Sequence, residues 1–187
     1  MSFNTQSGGR MSIKERTAEK HKEAESTLFM KAVFARNLPS NLWIDWTFQK
    51  IHFYDKIETL ARILGITSNI PAIDRTIFLV QDLTEMNKEN KSYTHRGPVL
   101  EYVNYLTGLS SDPYRVTAHL YTWHMGDLFG GQMIKKIIPG SHRALEFENK
   151  DDLIHKIRLK LDDDMYKEAN IAFDWAIKMM RDYDKDW

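Results

Sequence analysis

The chain has 187 residues, enough for one compact domain with a sizeable buried core. Its 26 lysines and arginines balance 26 aspartates and glutamates, so bulk charge offers nucleic acid no attraction. Cysteine is absent, which excludes disulfides, thiolate nucleophiles and cysteine-held iron–sulfur or zinc sites and suits a reducing, cytoplasmic compartment.

Residues 1–11 are polar and glycine-rich without an apolar segment, so they read as a flexible tail rather than a secretory signal, ahead of a helical domain over 12–187. No apolar run approaches the roughly 20 residues that span a bilayer. From Ile13 to Lys31, Ile13, Thr17, Ala18, His21, Ala24, Leu28 and Phe29 fall at spacings of three and four, which predicts one helical face. After the break at Pro39-Ser40-Asn41, a long helix runs from Leu42 to Leu64. Its buried side carries Trp43, Trp46, Phe53, Tyr54, Ile57, Leu60 and Leu64, and Gly65 closes it. Pro71 opens a helix to about Met86, Asn87–Thr94 is a loop, and Gly97-Pro98 starts a helix through Leu106. Pro113 begins a helix that continues to about Ile138, where Pro139-Gly140 stops it. Asp151–Leu161 and Met165–Tyr183 form a closing pair joined at Asp162-Asp163-Asp164. No stretch alternates with period two, so the fold class is all-α in a single domain without repeats.

One segment breaks the rules for an ordinary helix. Gly126-Asp-Leu-Phe-Gly130-Gly131-Gln lies inside a helical pattern, and each interior glycine costs about 1 kcal/mol relative to alanine. The missing Cβ lets a flat object or a second helix touch the backbone, and adjacent glycines permit a kink. Close helix packing is one account of them. A ligand surface is the other, and Asp127 favours it, because a carboxylate beside the thinnest part of a helix is expensive to bury unless it serves water or a ligand.

The run Ala118-His-Leu-Tyr-Thr-Trp-His-Met-Gly-Asp-Leu-Phe-Gly-Gly-Gln132 resembles the distal-helix signature of the heme oxygenases. Lys14…His21-Lys-Glu-Ala-Glu25 is similar to that family's proximal helix. The run His52–Glu58, the Pro71–Met86 helix and the closing Glu168–Phe173 match in the same order, so the likeness covers most of 12–183. It implies a helical bundle with heme b sandwiched between a proximal helix and a kinked distal helix, and oxidative cleavage of that heme to biliverdin with release of CO and ferrous iron.

The resemblance implies a role for each matching residue. His21 is the axial ligand of the heme iron, a task that a neutral imidazole suits. Taken alone, a histidine on an apolar face is more often a packed or capping residue than a ligand. Glu25, one turn on, would accept the other ring N–H and set the tautomer, or stand as a solvated acid. Asp127 would deliver protons through ordered water as a general acid, or cap a kink. Gly126, Gly130 and Gly131 form the platform under the macrocycle. Lys14, Tyr121 and Arg158 match propionate contacts, for which arginine's fork is well suited, and Phe173 stacks on or edges the ring. Four positions depart from the family pattern: Trp123 and His124 replace arginine and tyrosine, Phe129 replaces serine, and Ala176 replaces asparagine. A lysine expected before Arg158 is Ile154.

Turnover of this kind consumes O2 and electrons. No G-x-G-x-x-G follows a strand, so no intrinsic flavin or nicotinamide site is read, and an external donor of the ferredoxin type is implied. Lys135, Lys136, Arg143, Lys156, Arg158 and Lys160 are candidates for its basic docking face, or are scattered solubilising charge. A downstream bilin reductase and a monomeric state complete the implied setting. Two other classes stay open: a heme-binding or heme-delivery protein without turnover, and a non-heme di-iron oxidase drawing on Glu58, Asp127, Asp151 and His155.

Overall fold

In a computed structural model of the protein, residues 11–187 are described, and among them the secondary structure is helical with no strand. The expected tail, apart from Met11, lies outside the described residues. Helix α1 (Ile13–Glu25) opens on a capping box in which Ser12 and Glu15 bond each other's backbone N–H. The single helix expected over 13–31 divides at Ser26-Thr27. The Thr27 hydroxyl donates to the Ala24 carbonyl and accepts from Met30 N–H, local bonds that end one helix and cap the next, α2 (Leu28–Phe34).

Helix α3 (Ser40–Ile63) follows Pro39 and ends before Gly65, whose φ of 74° lies in the left-handed region that glycine adopts without strain. Its expected aromatic face is the centre of the molecule: Trp46, Phe53, Tyr54 and Ile57 are all buried. Pro71–Ile73 makes a 3₁₀ turn rather than the first turn of a long helix, and α4 (Thr76–Met86) begins only after Arg75. Helices α5 (Gly97–Thr107) and α6 (Pro113–Leu120) carry proline in their first turns, as their sequences suggest. Beyond α6 come a π-helical segment Tyr121–Met125 and two short helices, α7 (Gly126–Phe129) and α8 (Gly131–Ile137). Helices α9 (Lys150–Arg158) and α10 (Tyr166–Arg181) close the chain, with 3₁₀ turns at Asp163–Met165 and Asp182–Asp186. α3 packs against α4, α5 and α6, while α10 packs along α1 and against α5 and α6.

A buried polar cluster ties α5, α6 and α10 together. Glu168 accepts hydrogen bonds from Tyr105 Oη at 2.5 Å, from Arg115 Nε at 3.0 Å and from His119 Nε2 at 2.8 Å. Burial alone would raise the Glu168 carboxyl, but the His119, Tyr105 and Arg115 contacts outweigh it and bring the group from 4.5 down to about 2. A carboxyl lowered on folding stabilises the fold above its unfolded value and loses that contribution as pH falls through its folded value. The loss therefore spans pH 4.5 to about 2 and is worth on the order of 3 kcal/mol. His119, held down by burial, adds to the acid sensitivity at higher pH, because the folded state resists its protonation. Glu168→Gln is expected to lower stability at pH 7 and to flatten its decline between pH 4.5 and pH 3. Urea denaturation at several pH values checks this; an unchanged slope counts against it.

Candidate functional site

The segment after α6 sets the shape of the site. The kink expected at the glycines is preceded by the π turn at Tyr121–Met125, where the widened backbone rotates consecutive side chains out of helical register. Trp123 and His124 are both buried as a result. Trp123 Nε1 donates to Tyr102 Oη at 3.0 Å, and its ring packs 4.6 Å from Phe53. His124 is fully buried, with Nε2 3.0 Å from Glu58 Oε1. Glu58 also accepts from Arg75 N–H at 2.5 Å, from Thr76 N–H at 3.1 Å and from Thr76 Oγ1 at 2.6 Å. Burial works against the Glu58 charge, but the His124, Thr76 and Arg75 contacts prevail and hold its carboxyl below the usual range. His124 is thus committed to a clamp between this segment and α3.

A cavity of about 830 Å³ opens along this segment. Tyr121, Met125, Gly126, Asp127, Phe129, Gly130 and Gly131 line it, together with Lys14, Thr17, His21 and Glu25 of α1, Phe173 and Ala176 of α10, and Arg158 of α9. All ten residues singled out in the sequence therefore face one space. The three glycines differ in what they do there. A Cβ on Gly126 would meet nothing within 4 Å, so its absence leaves open room, whereas a Cβ on Gly131 would stand 2.7 Å from Leu145 Cδ2. Open space thus lies over Gly126, while close packing against Leu145 accounts for Gly131.

His21 is exposed, with Nε2 3.2 Å from Glu25 Oε1 and its ring 5.6 Å from Phe173. Asp127 is buried, and two residues of α3 hold it: Tyr54 Oη donates to Oδ2 at 2.6 Å, and Lys50 Nζ lies 3.6 Å from Oδ1. Burial, then the Asp127 carboxylate, push the Tyr54 hydroxyl well above its ordinary value, so it keeps the proton it donates to Asp127. Lys14 and Arg158 are exposed cations at the cavity. Burial raises the Tyr121 hydroxyl, while its bond with Thr17 and the Arg158 charge oppose the rise. Ile154, where a lysine was expected, packs with Ile70, Ile73, Met125 and Leu128 beneath the wall. Lys50 and Tyr54 are the site residues that sequence reasoning missed. Trp46, Lys50 and Tyr54 are spaced by four on the aromatic face of α3, so a lysine on a buried stripe was the available signal.

Three of the six candidate cations of the basic face are paired with acids. Lys135 pairs with Glu146 at 2.7 Å, Arg143 with Glu85 at 2.7 Å and Lys156 with Asp152 at 2.9 Å. Lys160 donates to Asn69. Among the described residues no group of three or more histidines and carboxylates is placed to hold a metal ion, so the di-iron arrangement has no ligand set there.

Fold and site together define an all-helical protein whose cavity lies between a histidine-bearing helix and a glycine-interrupted helix. The heme oxygenase family profile matches residues 10–155, and the chain belongs to that family. It is 25% identical to heme oxygenase 2 of Macaca fascicularis over 205 residues, covering 92% of this chain and 64% of that protein. Identity to the heme oxygenase of Porphyra purpurea is 29% over 215 residues, covering 91% of this chain and 84% of the relative. The fold matches the crystal structure of heme oxygenase-1 from Synechocystis sp. PCC6803 in complex with heme, with a TM-score of 0.83 at 22% identity, over 93% of this chain and 91% of that one. The chain spans less than two thirds of the length of the mammalian relatives, 64% in the macaque case.

Proposed function

We propose that the protein is a heme-cleaving enzyme that takes heme as substrate and releases biliverdin, CO and ferrous iron, using O2 and electrons from an external donor. The observation that carries this reading is Asp127, a buried carboxylate aimed into the same cavity as the exposed His21 imidazole and held there by Tyr54 and Lys50. Heme supplies the iron that binds oxygen and the macrocycle that is oxidised.

The residues present fit such a substrate. His21 would offer an imidazole nitrogen to the heme iron, with Glu25 Oε1 close enough to orient the imidazole and fix its tautomer. Gly126 would leave room for a flat macrocycle beside the backbone. Lys14, Arg158 and Tyr121 would hold the propionates, and Phe173, packed 5.6 Å from the His21 ring, would add an apolar surface. Asp127 exchanges protons with water in the cavity as a general acid while Tyr54 keeps the carboxylate directed at that water. A ferredoxin-type donor remains the proposed partner. Its docking face is narrower than the sequence suggests, because the ion pairs of Lys135, Arg143 and Lys156 offset much of the charge.

The test is reconstitution with hemin followed by reduction under air with reduced ferredoxin or ascorbate. Decay of the Soret band with biliverdin absorption growing in the red is expected, and His21→Ala should bind hemin more weakly with a shifted Soret band. A band that only cycles between oxidation states makes the protein a heme carrier instead.

A further inference from the structure

We propose that Lys50 is a positioning residue for Asp127: its ammonium supplies the cation of this cavity wall and holds the carboxylate where Tyr54 also reaches it. Asp127 sits on α7, a helix of four residues with a π turn before it and a glycine break after it. So short a helix constrains its own side chains poorly, and the orientation of Asp127 must come from elsewhere. It comes from α3, a helix of 24 residues in the middle of the core. Lys50 and Tyr54 stand on successive turns of one face and take one carboxylate oxygen each.

The lysine is where a lysine is seldom found. Its side chain and that of Asp127 are each only 12% exposed, although a long lysine stem normally carries its charge out to water. Here the ammonium turns inward across the face of Tyr54, 4.9 Å from the ring centroid, to reach Asp127. A solubilising charge has no reason to take that path. Trp123, one turn before Asp127, carries no charge and is turned into the core against Phe53 and Tyr102. Among the described residues, Lys50 is the cation that pairs with the carboxylate within 4 Å. The ion-pair distance of 3.6 Å leaves ammonium N–H groups free to bond water in the cavity that the same lysine lines.

This inference rests on the proposed heme-cleaving activity, and its test separates the two. Lys50→Met and Lys50→Arg are compared with the parent protein, first without hemin. The Tyr54 hydroxyl proton, assigned by its loss in Tyr54→Phe, is followed by proton NMR. It should stand far downfield and exchange slowly in the parent and in Lys50→Arg, and should move upfield or vanish in Lys50→Met. With hemin, Lys50→Met should bind with parental affinity and turn over about 10- to 100-fold more slowly, as misplacement of a reacting group predicts, and Lys50→Arg should recover most of the rate. If Lys50→Met does not fold, as judged by circular dichroism, Lys50→Gln replaces it in both measurements. A Tyr54 signal that responds to Lys50 in a parent protein unable to cleave heme removes the proposed function and keeps the positioning. An unchanged Tyr54 signal with parental turnover in Lys50→Met overturns the positioning.

Discussion

Asp127→Asn is expected to bind hemin as the parent does and to form biliverdin about 10²- to 10⁴-fold more slowly, the usual worth of a positioned general acid. Three carboxylates line the cavity, Glu25, Asp82 and Asp127. Glu25 faces His21, and Asp82 is occupied by the backbone N–H groups of Arg143 at 2.9 Å and Ala144 at 3.0 Å. Only Asp127 has a side chain directed by other side chains into open space. Asparagine keeps an acceptor for Tyr54 and nearly the same volume, so the wall should stand, while the exchangeable proton and the charge facing Lys50 are lost. Hemin affinity by Soret titration and single-turnover absorbance at the biliverdin band measure the two effects separately. Parental turnover in Asp127→Asn would mean that another group supplies the protons.

The walls of the cavity were legible because their signals are local. A histidine with glutamate one turn on, and glycines spaced across a helix, can be read in a single window of sequence. The support behind those walls was not legible in the same way. His124 reads as an ordinary helical position, and the π turn, which no periodicity announces, sends it into the core towards Glu58. Glu58 lies 66 residues away in sequence, on a helix whose charged positions look alike until the fold pairs them. Lys50 was hidden for a related reason: a charge on an apolar stripe is usually explained by snorkelling, and its partner is 77 residues further on. Ends of elements were missed where side chains compete with the helix ladder, as at Thr27.

That hidden support gives the largest expected effect on stability. Glu58 is 1% exposed and satisfies four donors, three from Arg75 and Thr76 at the start of α4 and one from His124 in the π turn. Glu58→Ala leaves the buried Arg75 N–H and His124 donors and the half-buried Thr76 donors without their acceptor and should cost about 3–5 kcal/mol, the range for breaking a buried charged pair from one side. For a chain of this size that lowers the melting temperature by on the order of 10 °C. Glu58→Gln keeps both the length and an acceptor oxygen and should lose much less. The double variant Glu58→Ala/His124→Ala discriminates between two accounts of the clamp. If the pair with His124 carries the energy, removing both partners should recover a large part of the loss, since no imidazole is left orphaned. If the Arg75 and Thr76 donors carry it, the double variant should be no more stable than Glu58→Ala alone, because α4 still starts on unsatisfied N–H groups. The second outcome is expected, since three of the four donors lie at the N-terminal boundary of α4 and the two from Arg75 N–H and Thr76 Oγ1 are the shortest contacts Glu58 makes, at 2.5 and 2.6 Å. His124→Ala should then be the milder single change in stability. It should still slow turnover, because the π turn that leads into α7 and Asp127 would lose an anchor on α3.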